Sequence, residues 1–152
     1  VLELTLEAAR ALVSKEKKGV ILNVSSAAGF QVFPNMAVYA ASKAFVNRFS
    51  EAFDFEVKCY GVRVLAICPG VVATNFQKRA GSVFDNYPGG AMSTSFLAEQ
   101  IWKQIEQLKP IFIVDWKYRF LTFLSYFVPL KSTLASIIAK RITPRNLIKI
   151  KS

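Results

Sequence analysis

The sequence predicts an α/β fold, a parallel sheet with helices packed on it in three layers. Three observations predict it. Two short apolar runs, residues 20–24 and Val62–Cys68, are nearly continuous aliphatic stretches, as expected of strands buried on both faces. Between them, from Tyr39 to about Tyr60, lies the longest segment of helical periodicity. Each run also ends in strand-breaking residues, Ser25-Ser26 after the first and Pro69-Gly70 after the second. Strand, long helix, strand is a β-α-β unit, whose parallel crossover is right-handed.

Taken in order, residues 2–14 carry Leu4, Ala8, Ala9, Leu12 and Val13 at helical spacing, with Thr5, Glu7 and Arg10 between them. Lys15-Glu16-Lys17-Lys18-Gly19 is a charged turn with a glycine stop. The first strand is interrupted only by Asn23, which is expected to tie it to neighbouring backbone. After the two serines, Ala27, Ala28 and Gly29 permit close backbone approach, and residues 31–36 form a loop suited to lining a pocket. On the long helix, Phe45, Val46, Phe49, Ala52, Phe53 and Val57 form an apolar set wider than one stripe. One face then meets the sheet and another is available to a partner. Phe45 and Phe53 read equally as core or as interface.

Gly61 closes that helix and the second strand follows. Residues 75–94 are irregular and long for a silent connection, which is typical of a lid. Phe76, Phe84, Tyr87 and Met92 supply an apolar wall there, for a bulky ligand or for packing the lid down. Ser93, Thr94 or Ser95 caps the next helix, with Phe96, Leu97, Ile101, Ile105 and Leu108 on its apolar side. Residues 110–115 read as a last strand. The domain organisation expected is therefore a sheet-forming part, 1–115, followed by a basic, aromatic-rich extension, 116–152.

The composition bounds the function. A chain of 152 residues, 53% hydrophobic and with thirteen phenylalanines, has one domain's length and enough apolar surface to fold. Mean hydropathy is +0.31, yet no run of apolar residues reaches the roughly 18 that a single-span helix needs. The net charge is +10, from 20 basic and 10 acidic residues. No nucleic-acid-binding signature accompanies it, so no nucleic-acid partner is expected. From Gln107 onward nine basic residues face one acid, Asp115, a bias suited to an anionic cofactor, substrate or membrane surface. Residues 116–145 interleave aromatics and bases as membrane-surface helices do, or alternatively cover a pocket or a subunit seam. Histidine is absent, which removes Ser-His-Asp triads and histidine metal sites. Cys59 and Cys68 lack metal-ligand spacing, so no metal is expected.

Candidate chemistry centres on Ser26, Tyr39 and Lys43. Four residues apart on a helix, Tyr39 and Lys43 share one face. A phenol titrates near ~10, and a neighbouring ammonium favours the phenolate. Ser26, thirteen residues before Tyr39, can donate a hydrogen bond to a substrate oxygen. Singly, Ser26 reads as a turn residue, Tyr39 as an amphipathic surface residue and Ser42 as a small packing residue. Together, the three suit proton exchange with a carbonyl or alcohol oxygen.

This set resembles the short-chain dehydrogenase/reductase family, in its hydroxysteroid-dehydrogenase-like branch. The resemblance rests on Tyr39-Ala40-Ala41-Ser42-Lys43, on Asn23-Val24-Ser25-Ser26-Ala27-Ala28-Gly29, and on Pro69-Gly70. It implies a Rossmann-like sheet and NADP or NAD as cofactor. Tyr39 would exchange the proton, Lys43 would lower its pKa and hold the nicotinamide ribose, and Ser26 would polarise the substrate oxygen. Pro69, Gly70, Val72 and Thr74 would lie along the cofactor, with Gly70 letting a ligand rest against backbone. The implied substrate is a lipophilic carbonyl or alcohol, of steroid, retinoid or fatty-acyl type. Homo-oligomers would form through the helices at 2–14 and 39–60, and the location would be cytoplasmic or peripheral at a membrane.

No Gly-x-x-x-Gly-x-Gly follows a first strand, and the chain opens on Val1-Leu2-Glu3. The expectation is therefore of the family's C-terminal catalytic part only, lacking the first strands and glycine-rich loop, and inactive in isolation. The competing expectation is a catalytically inactive truncated homologue with a structural or membrane-peripheral role.

Overall fold

The computed structural model describes residues 1–33, 36–76 and 90–127, with residues 126 and 127 as backbone only. Helix α1 (Leu2–Ser14) leads into strand β1 (Gly19–Val24) and a 3-10 turn (Ala27–Phe30). Helix α2 (Ala37–Val57) and a second 3-10 turn (Lys58–Tyr60) precede strand β2 (Val62–Cys68). Helix α3 (Thr94–Gln107), strand β3 (Ile111–Ile113) and helix α4 (Trp116–Phe127) follow. The strands form one parallel sheet in the order β1-β2-β3, with Gly19 opposite Val62 and Ala66 opposite Ile111.

α1 ends at Ser14, as its periodicity predicts. Glu16 takes a left-handed conformation (φ 51°), Lys17 N donates to Leu12 O and Glu16 N to Val13 O. That is the double bond of a Schellman ending, made here without glycine. Gly19 instead opens β1, where a Cβ would crowd the Leu12 side chain at 2.9 Å. α2 ends at Gly61, which has the left-handed φ of 76° that glycine adopts without strain. Ser93 caps α3, its hydroxyl accepting from Phe96 N at 3.1 Å.

β2 is the centre of the molecule. Val62 and Val64 pack with Ala9 and Val57 of the helices, and partly buried Leu12, Ile21 and Phe53 join them. Leu65 and Ile67, which alternate to the opposite face, are fully buried too. β1 departs from expectation. Ile21 faces the helices, but Val20 is 37% exposed and Val24 51%. β1 is therefore not covered on both faces among the described residues, and the third helix, α3, packs on β2.

Two polar groups inside the strands join the layers. Asn23 bonds side chains rather than backbone: it accepts from Thr5 Oγ1 at 3.1 Å and donates to Ser50 Oγ at 3.0 Å. It thereby joins α1, β1 and α2 and sets both helices on one face of the sheet. Arg63 forks onto Asp54 of α2 at 2.8 and 2.9 Å, and Asp54 also accepts from Val64 N at 2.8 Å. Arg63 reaches the Leu108 carbonyl as well, at 3.0 Å.

The fold is the expected Rossmann-like parallel arrangement, with one correction. An N-terminal strand with its glycine-bearing loop is present, not absent: β1 is followed directly by the turn Ala27–Phe30, which contains Gly29. The segments 77–89 and 128–152, with the expected lid residues Phe84 and Tyr87 and most of the basic extension, lie outside the described residues.

Candidate active site

Strands β1 and β2 end side by side. Ser25 N donates to Ile67 O at 2.8 Å and Ala27 N to Pro69 O at 2.9 Å. These bonds fix Ser26 at the C-terminal edge of the parallel sheet, where ligands bind in open α/β folds. Ser26 is extended and only 8% exposed. Its Oγ accepts from Ala28 N at 3.2 Å, which caps the turn and leaves the O–H as a donor. Turn-making and substrate contact are thus compatible in one side chain.

The turn seats tightly on α2. A Cβ on Gly29 would lie 2.6 Å from Asn47 Nδ2, 2.7 Å from the Lys43 carbonyl carbon and 2.8 Å from Ala44 N. Two of these neighbours are backbone and cannot swing away. The close approach read from the sequence is therefore between the serine turn and the helix. Ser25 Oγ donates to Lys43 O at 3.1 Å and adds a second tie between them.

Tyr39 and Lys43 stand one turn apart on α2, both half-buried. Lys43 Nζ lies 5.8 Å from the Tyr39 ring centre and donates to the Val24 carbonyl at 3.2 Å. Burial holds the Lys43 ammonium below its ordinary pKa, and the nearby Cys68 sulfur opposes that shift. The Cys68 thiol is pushed up to about 12, chiefly by burial. It donates to Asn47 Oδ1 at 3.2 Å and behaves as a small core residue. Asn47 Nδ2 finds no hydrogen-bond acceptor among the described residues.

Beyond β2, Pro69 is buried and Val72 pairs with Met92 in an isolated parallel bridge. Thr74 is exposed, and its Oγ1 accepts from Phe76 N at 3.3 Å. That turn aims Phe76 at Tyr39, with ring centres 5.9 Å apart. Sequence reasoning placed Phe76 in a lid but did not pair it with the tyrosine; the two are far apart in the chain, and no local pattern joins them. At Gly70 the space a Cβ would take is filled by the Tyr118 ring of α4, at 2.5 Å, so the glycine lets that ring pack against the end of β2. Gln31 Nε2 also donates to Thr122 Oγ1 at 3.3 Å, which draws α4 against the serine turn. Among the described residues, no cluster of side chains could hold a metal.

Known proteins are similar to this chain. The family model for short chain dehydrogenase matches residues 1–83. A very-long-chain 3-oxoacyl-CoA reductase of Anas platyrhynchos is 45% identical over 71 residues, 47% of this chain and 23% of its own. Sorbitol-6-phosphate 2-dehydrogenase of Klebsiella pneumoniae is 40% identical over 58 residues, 38% of this chain and 22% of its own. A short-chain dehydrogenase from Sphingobium yanoikuyae, solved with NADPH, matches with a TM-score of 0.69 at 22% identity. It covers 96% of this chain and 54% of that one. A 7beta-hydroxysteroid dehydrogenase matches with a TM-score of 0.69 at 20% identity, covering 91% and 52%. The chain thus spans about half the length of these solved structures and aligns with about a quarter of these curated relatives. The solved structures establish the fold. The family match begins at residue 1, which overturns the expectation of a C-terminal part only. With 83 of 152 residues matched, the chain belongs to the short-chain dehydrogenase family.

Proposed function

We propose that the protein is an NAD(P)-dependent oxidoreductase acting on a carbonyl or alcohol. The observation that carries this reading is the placement of Ser26 at the strand edge with Tyr39 and Lys43 on the helix seated against it, at a spacing set by Gly29. The donor set suits the nicotinamide-ribose end of the cofactor. Lys43 supplies an ammonium, Tyr39 a phenol and Thr74 an exposed hydroxyl, and the backbone at Pro69 and Val72 runs along the same edge. Gly70 contributes backbone alone. When bound, the cofactor supplies or accepts the hydride.

In the reductive direction Ser26 donates a hydrogen bond to the substrate carbonyl oxygen. Tyr39 gives its proton to that oxygen as the carbon gains the hydride, so a ketone becomes an alcohol. The Lys43 charge beside the Tyr39 ring stabilises the negative charge left on the phenol. Phe76, half-exposed against Tyr39, favours a lipophilic substrate. The 3-oxoacyl-CoA reductase relative favours the fatty-acyl type over steroid or retinoid. Leu4, Phe45 and Phe55, exposed on α1 and α2, favour homo-oligomers through those helices.

The test is turnover of NADPH and NADH by the full-length protein with lipophilic ketones, 3-oxoacyl thioesters among them. Tyr39→Phe is expected to lower kcat by roughly 10²-fold or more while keeping cofactor affinity. A full-length protein that binds neither cofactor and turns over no ketone would overturn the reading in favour of a catalytically inactive homologue.

A further inference from the structure

α4 is amphipathic in an unusual sense. At ~100° per residue its wheel gathers Trp116, Phe120 and Phe123 within about 60° of arc. These face outward, at 67%, 61% and 61% exposure. The opposite side is fastened to the protein: Tyr118 fills the space above Gly70, and buried Thr122 accepts from Gln31. α4 is thus a docked helix that presents Trp116 and Phe120 to solvent.

Basic residues border the stripe on both sides, Lys117 on one and Arg119 on the other, both exposed. Arg119 and Lys109 converge on the Phe112 ring, at 5.6 and 5.5 Å. Among the described residues no carboxylate pairs with Lys109, Lys117 or Arg119. The acid nearest Lys117 and Arg119 in sequence, Asp115, turns its Oδ1 to the Lys117 backbone, accepting from Lys117 N at 2.9 Å. An aromatic ridge between cations that no described carboxylate neutralises is complementary to a surface that is apolar within and negative at its rim.

We infer that the outer face of α4 docks this protein onto a phospholipid bilayer carrying anionic lipid. Trp116 and Phe120 enter the headgroup–acyl boundary, and Lys109, Lys117 and Arg119 meet the lipid phosphates. No described helix is long and apolar enough to cross a membrane. α4 therefore lies in the surface plane, with Tyr118 and Gly70 linking it to the end of β2. This inference does not rest on the oxidoreductase reading.

The test is co-sedimentation of the full-length protein with phosphatidylcholine vesicles, with and without phosphatidylserine. Binding is expected to the anionic vesicles and to weaken with salt. Trp116→Ser with Phe120→Ser is expected to weaken it roughly tenfold or more, with an unchanged circular dichroism spectrum because both side chains are exposed. Lys117→Gln with Arg119→Gln is expected to weaken it about 25-fold, at about fivefold per charge near an anionic surface. Absence of wild-type binding, or full binding by the Ser double variant, would overturn the proposal. So would loss of an oligomer in that variant without loss of lipid binding, which would assign the face to a second copy of the chain.

Discussion

Two groups of polar side chains are built on β1, α2 and β2, and they are completed in opposite ways. Within the body of the sheet, Thr5, Asn23 and Ser50 bond one another, and Arg63 and Asp54 form a two-pronged pair. At the C-terminal edge, Ser26 Oγ and Lys43 Nζ bond backbone and keep donor capacity, and Tyr39 lies between Lys43 and Phe76. A polar group whose partners are all internal serves the fold. One fixed in place with donor capacity to spare is available to a ligand. Substitutions should separate along this line.

The sharpest test is Tyr39→Phe. Turnover should fall by roughly 10²-fold or more, while the urea midpoint stays within experimental error of wild type. A large stability loss would place Tyr39 in the internal group. Next comes Asp54→Asn. The Asp54 side chain is only 3% exposed and Arg63 22%. An amide would turn an N–H toward Arg63 Nη2, donor against donor, and leave the guanidinium unpaired. The expected cost is about 2–3 kcal/mol, at or below the low end for a broken buried pair because Arg63 keeps some solvent. Equilibrium unfolding measures it, and cofactor affinity per folded molecule should be unchanged.

Gly29→Ala should blur the division, because Gly29 sets the distance between the serine turn and α2. A cost of about 1–3 kcal/mol is expected from overpacking, together with lower turnover as Tyr39 and Lys43 shift from Ser26. Normal kcat in this variant would show that the spacing is not needed. The smallest effect belongs to Lys43→Met. Burial lowers the Lys43 pKa, so the unfolded chain binds more protons over the interval between the two pKa values, and stability rises with pH there. Below that interval the charged side chain carries a desolvation cost. Removing it should leave stability at pH 7 unchanged or slightly raised, although activity is lost, and should flatten the alkaline rise in a pH series of melts.

Much of this was legible in the sequence where the signal is local. Val62–Cys68 was delimited at both ends, because Gly61 and Pro69 punctuate a continuous apolar run. α2 begins at Ala37, two residues before Tyr39, and its last turn tightens into Lys58–Tyr60. β3 is shorter than residues 110–115, since Asp115 leaves the strand to start α4. The spacing of Ser26, Tyr39 and Lys43 was readable because one helix and one turn carry it. Three things were not readable. The capping bonds that follow α1 through a left-handed Glu16 were hidden by the more obvious Gly19. Tyr118 in the Gly70 space and Gln31 on Thr122 join residues 48 and 91 positions apart, and no periodicity announces such pairs. The exposure of Val20 and Val24 is not visible in the run itself, because the aliphatic run of β1 looks like that of β2.

The reach of the Asp54–Arg63 pair also bears on the order in which the molecule assembles. It joins residues 9 apart, whereas Asn23 meets Thr5 across 18 and Ser50 across 27. Loop-closure entropy grows with the logarithm of separation, so tripling it from the first to the last costs about 1 kcal/mol more. The corner between α2 and β2 should therefore form in the folding transition state and the Asn23 junction after it. Asp54→Asn would then slow refolding, and Asn23→Ala would mainly speed unfolding; the reverse pattern in stopped-flow kinetics would refute this order. The nascent chain would set its central strand before completing the edge that carries Ser26, so lesions at that edge would act late and leave the nucleus intact.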